Sequence, residues 1–304
     1  MIYTLTLNPA LDYDIYLDKL AENDLNLSKN VKFRAGGKGI NVSIMLKNLK
    51  KENIALGFVS GFTGDYIINY LNNLGIKNDF IKTNGITRIN VKINDTYNET
   101  EISGISPNID EKYIEKLKSF ISGLSDNDIL ILSGSIPDNI EKNIYYTLSK
   151  LTKAKVILDT RGNLLKDNIC NNILIKPNIK ELEIAFNTKI ISDIEVYKYA
   201  SYFIEKGVEN VLVSMGNKGA ILVKKGKYLK ANIPCGKYIN SIGSGDSMVA
   251  GFIYSYLENL NDVDTLKMSV ACGSASAYSY EIADFNSVKK LIDDINIIEV
   301  KPNL

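Results

Sequence analysis

The run Asn240-Ser241-Ile242-Gly243-Ser244-Gly245-Asp246-Ser247-Met248-Val249-Ala250-Gly251-Phe252 places a glycine-rich turn, a carboxylate and an apolar helix start side by side. Gly243 and Gly245 let the backbone bend so that successive N–H groups converge on one point. Residues 247–257 are apolar and long enough for a buried helix. The first N–H groups of a helix lack intrahelical partners, and the macrodipole is positive there, so such a turn can hold an anion. Asp246 falls in the first turn. A carboxylate beside an anion hole can take a proton from a hydroxyl while the hole holds the phosphate under attack. Taken alone, an Asp at this position can equally do no more than stabilise the dipole.

Four further constellations could carry chemistry. Ala35-Gly36-Gly37-Lys38-Gly39-Ile40-Asn41-Val42 opens a helical pattern running to about residue 50. Its glycines allow close approach to a ligand, and Lys38 and Asn41 project from one helix end. It is no Walker A loop, because no Ser or Thr follows the lysine. Asn8-Pro9-Ala10-Leu11-Asp12-Tyr13-Asp14 follows the first strand and puts two carboxylates at a strand end, suited to gripping sugar hydroxyls or simply solvated. In Lys176-Pro177-Asn178-Ile179-Lys180-Glu181-Leu182, Asn178 and Glu181 have capping-box spacing. The alternative is that they organise Mg²⁺ and its waters, with Lys180 reaching phosphate. Ser214-Met215-Gly216-Asn217-Lys218-Gly219-Ala220 joins a strand to a hairpin and is either a plain turn or one that admits a nucleotide.

Composition narrows the chemistry. The chain has no histidine, which removes Ser-His-Asp and Cys-His catalysis and His-based zinc sites. Cys170, Cys235 and Cys272 lie far apart without metal-ligand spacing and are expected to be reduced and buried. Net charge is +1, with no polybasic run, so neither nucleic acid nor an anionic membrane is an expected partner. No apolar run approaches the roughly 20 residues of a membrane span. The opening Met1-Ile2-Tyr3-Thr4-Leu5-Thr6-Leu7 has no basic lead, and a soluble cytoplasmic protein is expected. Only three of 36 basic residues are arginine: Arg34, Arg88 and Arg161. A planar fork retained among so many lysines fits phosphate recognition, although a surface role would serve for any one of them.

These residues need a scaffold. Short continuous apolar runs at 54–60, 128–133, 156–159, 172–176 and 211–214 read as strands covered on both faces. Helical patterns at 65–74, at about 139–151 and from 180 onward alternate with them, predicting a parallel α/β sheet with ligands beyond its carboxyl ends. Two segments, 12–33 and 88–103, alternate polar and apolar residues instead. They predict a small separate β-layer with one wet face, the second segment forming two strands around a polar turn. A G-x-G-x-x-G dinucleotide turn after the first strand is absent, which argues against a dehydrogenase.

The order of these motifs along the whole chain resembles that of the ribokinase-like sugar kinases, in the phosphofructokinase B branch. Thr4-Leu5, Asn8-Pro9, Gly61-Phe62-Thr63-Gly64, Thr87-Arg88-Ile89-Asn90-Val91-Lys92, Glu99-Thr100-Glu101-Ile102, Gly134-Ser135-Ile136-Pro137 and the Gly-Ser-Gly-Asp box carry the resemblance. It implies one ribokinase-like α/β domain over 1–304, a mostly parallel central sheet flanked by helices, with a β-sheet lid from about 12–34 and 86–104. It also implies ATP and Mg²⁺ as cofactors and a homodimer formed through the lid. In the roles it implies, Asp246 is the general base and Gly243, Ser244 and Gly245 form the anion hole. Asp12, Asp14, Gly36, Gly37 and Asn41 grip the sugar, while Lys38 and Arg88 hold its existing phosphate. Asn178 and Glu181 position Mg²⁺ through water. Lys180, Ser214, Gly216, Gly219 and Ser274 border the ATP. The Arg88–Lys92 run with Glu99-Thr100-Glu101 favours phosphorylation of fructose 1-phosphate at its C6 hydroxyl, giving fructose 1,6-bisphosphate. Tagatose 6-phosphate or fructose 6-phosphate as substrate, or a silent sugar- or nucleotide-binding regulator on the same fold, are the alternatives. Three stretches depart from the branch pattern: Ser244 for a frequent Ala, Arg161 where a small residue is common, and Gly104-Ile105-Ser106-Pro107 for a Gly-Pro-Gly-Pro-like run.

Overall fold

The computed structural model describes residues 1–300. In chain order the first elements are β1 (Ile2–Thr6), β2 (Ala10–Tyr16), β3 (Asn30–Gly36), α1 (Lys38–Asn48), β4 (Ile54–Val59), α2 (Gly61–Asn73), β5 (Lys77–Lys82), β6 (Ile89–Asn94) and β7 (Glu99–Ile102). The middle of the chain forms α3 (Glu111–Ser122), β8 (Ile129–Ser133), α4 (Ile144–Leu151), β9 (Lys155–Asp159), α5 (Leu164–Asn168), β10 (Leu174–Ile175), α6 (Ile179–Phe186) and α7 (Asp193–Glu205). The last part forms β11 (Val211–Ser214), β12 (Ala220–Lys224), β13 (Lys227–Ala231), α8 (Ser244–Leu257), α9 (Asp262–Ala277), α10 (Phe285–Lys289) and β14 (Ile297–Val300).

Ten strands form one sheet in the order β14-β13-β12-β11-β10-β9-β8-β1-β4-β5. From β5 to β11 every neighbouring pair is parallel; β12, β13 and β14 are added antiparallel. The inner parallel strands are largely apolar because both faces are covered, whereas the edge strand β5, Lys-Asn-Asp-Phe-Ile-Lys, is not. All five residues of β8, Ile-Leu-Ile-Leu-Ser, are buried. On one face, Ile114, Leu117 and Ile121 of α3, Leu148 of α4 and Phe203 of α7 pack against the sheet. On the other, Met45 and Leu46 of α1, Ile253 of α8 and Val270 of α9 do so. In α3 the buried positions recur at three and four residues, with Glu111, Glu115 and Lys118 turned outward. Helix α8 is buried almost all round, between α1 and α9.

A second sheet has four strands in the order β3-β2-β6-β7. Its register places Asp12, Arg34 and Asn90 in one cross-strand row and Asp14, Lys92 and Glu101 in the next, all on the same face. Leu11, Tyr13, Phe33, Val91 and Ile102 occupy the opposite face. Helix α2 packs on this sheet and on the edge of the large one, with the Tyr66 hydroxyl donating to the Phe33 carbonyl at 3.1 Å.

Several local expectations are revised. Helix α4 begins at Ile144 rather than near 139, because the Asn139 side chain is bonded both ways to the Ile109 backbone. The strand expected over 172–176 is only Leu174–Ile175: the Asn172 side chain turns back to the Cys170 N–H at 2.8 Å. Asp12 and Asp14 lie inside β2, not in a loop at a strand end. Residues 214–220 join β11 to the β12–β13 hairpin as expected, through one 3₁₀ turn, with β12 antiparallel to β11. Cys272 is buried in α9 but Cys235, in the loop before α8, is exposed.

Candidate active site

The site forms where the carboxyl ends of the parallel strands meet the N-termini of α1 and α8. Asp159 ends β9, Lys176 follows β10, and Lys38 and Asn41 belong to the first turns of α1. Gly243 caps α8 with φ of 65°. A Cβ there would lie 2.2 Å from Ile282 Cδ1, and a residue carrying one would have to adopt a left-handed backbone, both of which favour glycine at this turn. The first backbone bond of α8 runs from the Ser247 N–H to the Gly243 carbonyl at 2.8 Å. The Ser244 N–H turns back to the Ser241 carbonyl at 3.2 Å, and the Ser244 hydroxyl does the same at 3.0 Å. The N–H groups of Gly245 and Asp246 are left as the free donors of that first turn.

Asp246 is buried, and Asn41 Nδ2 donates to its Oδ2 at 2.8 Å. Burial and the nearby Asp159 push the Asp246 carboxyl above its ordinary range, with Lys38, Asn41 and Lys176 opposing. Lys38 Nζ sits 2.7 Å from Asp159 Oδ1 and 3.5 Å from Glu181 Oε1. Burial alone would lower the Lys38 pKa, but Asp159, Glu181 and Asp246 together raise it, so the ammonium stays charged. Lys176 is 3% exposed, with Nζ 3.6 Å from Asp159 Oδ1. Against the burial that would raise it, Lys176 and Lys38 hold the Asp159 carboxyl below its ordinary range. A Cβ on Gly245 would stand 3.2 Å from Lys176 Nζ, which places this ammonium directly beneath the helix start.

Asp159 and Lys176 thus join the cluster, although neither was among the expected site residues. The signal was available: each stands at the carboxyl end of a buried apolar run, where a charged residue has no structural reason to sit unless paired.

On the small sheet, Arg34 grips Asp14 with both prongs, Nε to Oδ2 at 2.6 Å and Nη2 to Oδ1 at 2.9 Å. Asp12 receives Asn90 Nδ2 at 3.0 Å and Lys92 Nζ at 3.3 Å. Gly36 lies against it: a Cβ there would be 2.5 Å from Asp12 Oδ1. Gly37, with φ of 128°, turns the chain from β3 into α1. Arg88, just before β6, donates to Ser103 Oγ and to the Asn8 carbonyl, each at 3.0 Å. Lys38 is engaged with Asp159 and Glu181.

A cavity of about 490 Å³ lies on the far side of the α8 N-terminus. Ser214, Gly216, Gly219, Ser274, Tyr238 and Tyr278 line it, together with Ser244 and Gly245. Lys180 does not; it is exposed on α6 and borders a separate, shallow depression with Glu183 and Asn187. Asn178 and Glu181 form a complete capping box, with Asn178 Oδ1 accepting from Glu181 N at 2.8 Å and Glu181 Oε2 from Asn178 N at 2.9 Å. Among the described residues no three acidic, His or Cys side chains are grouped to cage a metal. Asp159 Oδ2 is nevertheless buried without a hydrogen-bond partner, and Glu181 Oε1 faces the same cluster. Such a donor set fits a hard cation that keeps its waters and is held mainly by phosphate oxygens.

A family model described as pfkB family carbohydrate kinase matches residues 5–287. The chain is 43% identical to the 1-phosphofructokinase of Borreliella burgdorferi, covering 99% of each chain. It is 35% identical to the D-tagatose-1-phosphate kinase of Bacillus licheniformis, covering 98% of this chain and 99% of that one. A solved structure of phosphofructokinase-2 from Escherichia coli in complex with substrates and products superposes with a TM-score of 0.89 at 25% identity, over 96% of this chain and 98% of the other. The ribokinase-like architecture expected from the sequence is the one observed. With a family model over residues 5–287 and relatives aligned along nearly its whole length, the chain belongs to the pfkB family of carbohydrate kinases.

Proposed function

We propose that this kinase transfers the γ-phosphoryl group of ATP to the C6 hydroxyl of fructose 1-phosphate, forming fructose 1,6-bisphosphate. The observation that carries the reading is the position of Asp246. It is a buried carboxylate of raised pKa, held by Asn41, one residue from free N–H donors that border a nucleotide-sized cavity. Asp246 accepts the hydroxyl proton as the oxygen attacks phosphorus in line. The N–H groups at Gly245 and Asp246 and the Lys176 ammonium meet the charge on the moving phosphoryl group. Mg²⁺, bound with the nucleotide, would neutralise phosphate charge, with Asp159, Asn178 and Glu181 facing its water shell.

The sugar lies between Asp246 and the polar face of the small sheet. There Asp12 and Asn90 are hydroxyl partners, while Gly36 and Gly37 leave room for close approach. Arg88 takes the existing phosphate. Arg34 holds both oxygens of Asp14, so Asp14 fixes Arg34 and the strand while its remaining lone pairs stay open to the sugar. ATP occupies the cavity lined by Ser214, Gly216, Gly219 and Ser274. The choice of a ketose 1-phosphate is supported by relatives named for fructose and tagatose 1-phosphates.

The small sheet acts as a lid and as the contact of a homodimer. Val31, Phe33 and Ile102 on its apolar face are exposed, which supports pairing with a second copy. Both substrates are phosphorylated and do not cross membranes, so the reading places the reaction in the cytoplasm. No helix among the described residues is long and apolar enough to cross a membrane.

The test is ATP-dependent ADP release with fructose 1-phosphate, tagatose 1-phosphate, fructose 6-phosphate and tagatose 6-phosphate in parallel. A strong preference for fructose 1-phosphate is expected. Preference for another ketose phosphate would keep the mechanism and overturn the substrate. No turnover despite ATP binding would overturn the mechanism.

A further inference from the structure

Among the described residues, no charged side chain lines the cavity at the start of α8. Ser244 and Gly245 mark the end of it that meets a triphosphate. On α9, Gly273 sits against that end: a Cβ there would meet the Ser244 carbonyl at 3.1 Å. Ser274 is one residue on and stays near the phosphates. Tyr278, the C-terminal cap of α9, lies more than one helical turn further along the same wall. A base attached to the triphosphate therefore rests near Tyr278, among Ile233, Val270 and Ala277.

Tyr278 is held still. Its hydroxyl donates to the Pro234 carbonyl at 2.7 Å, and its N–H donates to the Ser274 carbonyl at 3.0 Å. Its ring lies against Gly236, where a Cβ would stand 2.1 Å from Cε2. The one polar atom of the side chain is thus already engaged, and what remains for a ligand is aromatic surface. The neighbouring Ala277 carbonyl is taken by the Ile239 N–H at 2.9 Å. Asn217 and Tyr238 also line the cavity but are exposed, Tyr238 at 64%. Their hydrogen bonds to a base would replace bonds to water and discriminate little. None of the buried side-chain polar atoms without a partner belongs to this lining. Strong selection between bases needs such an atom, which the wrong base would leave unpaired.

We propose that the site holds its donor by the triphosphate and by stacking of the base on Tyr278, so that GTP serves as phosphoryl donor alongside ATP. This rests on the reading of the cavity as the nucleotide site of a ketose-phosphate kinase. Adenine and guanine differ at their edges and offer the same face. The step is the same for both donors. The bond from the γ-phosphorus to the β,γ-bridging oxygen breaks as the bond to the sugar oxygen forms. The hydroxyl proton passes to Asp246, and GDP leaves in place of ADP.

The test measures kcat/KM for ATP and for GTP with the ketose phosphate that gives turnover, and the affinities of ADP and GDP by calorimetry. The two donors are expected to differ by well under 10²-fold, and the two diphosphates likewise. A preference for ATP of about 10² or more would overturn the proposal and leave the kinase reading intact. Absence of turnover with either donor, while ADP and GDP bind alike, would overturn the kinase reading and leave the base-tolerant site standing. Tyr278→Ala should raise KM for ATP and GTP together, about tenfold or more, with little change in kcat. Tyr278→Phe, which keeps the ring, should stay close to wild type in both. A loss confined to one donor, or a fall in kcat at unchanged KM, would remove Tyr278 as the platform. The wild-type donor ratio decides the matter even where Tyr278→Ala fails to fold.

Discussion

Asn41 Nδ2 donates to Asp246 Oδ2 at 2.8 Å across 205 residues of sequence, so the first turn of α1 holds the carboxylate at the first turn of α8. The bond turns one oxygen of Asp246 toward α1 and leaves the other for the substrate. It also stabilises the charged form of a group that burial would rather keep neutral. Removing Asn41 should therefore raise the pKa of Asp246 further. In Asn41→Ala the acidic limb of the kcat/KM profile is expected to move to higher pH, because a base must be deprotonated to work. A limb that stays put or moves down would separate Asn41 from the base.

Asp246→Asn is expected to lower kcat by about 10² to 10⁴ while ATP still binds, the range for loss of a positioned general base. Its stability should move the other way. A raised folded pKa means the carboxyl contributes stability below its unfolded pKa and loses it as pH rises through the folded value. Near neutral pH the charge is thus a net cost, and the amide variant should melt at an equal or higher temperature than wild type. A clear drop in Tm would contradict the electrostatic account of this carboxylate.

Asp159 has the opposite sign. Its folded pKa is depressed, so its stabilisation is present above the unfolded pKa and fades as pH falls through the folded value. Asp159→Asn leaves Lys38 and Lys176 buried against a neutral amide and should cost about 3–5 kcal/mol. Urea unfolding at neutral pH measures this. Loss of activity with full stability would mean that Asp159 serves only the ligand.

Arg88→Ala should raise KM for the sugar phosphate about tenfold to a hundredfold, as expected for a charge-assisted hydrogen bond of about 1.5–3 kcal/mol. KM for ATP should not change. An unaltered sugar-phosphate KM would remove Arg88 from the phosphate site.

Gly243→Ala should abolish most activity, since the new Cβ would need to displace Ile282 and adopt a left-handed backbone. Stability curves and ATP binding on the purified variant check it. Wild-type kinetics would show that the turn tolerates rearrangement.

Much of the large sheet was legible because its inner strands are largely apolar. Strand β11 ends where the pattern stops, at Ser214, and the apolar run 54–60 becomes β4 with one residue fewer. The hairpin expected after residue 220 is β12 and β13, which pair antiparallel around the turn at Lys225-Gly226. The start of α4 was misplaced because what ends the preceding loop is a side-chain clamp by Asn139 onto Ile109, a contact between segments 30 residues apart. Glycines and acids in the site were visible as local motifs. Their pairings were not: Lys38 with Asp159 and Asn41 with Asp246 span 121 and 205 residues. Partner choice of this kind is set by the fold rather than by spacing.

Strand β1 sits in the interior of the large sheet, between β4 and β8, although it is made first. During synthesis it gains β4 early and must wait for β8, while Asn41 waits for Asp246. Because distant pairings carry a loop-closure cost, the last helices should dock late. Most of the polar surface proposed to receive the sugar therefore precedes, on a growing chain, the residue proposed to remove its proton. Recovery of turnover after dilution from denaturant should lag behind recovery of secondary structure.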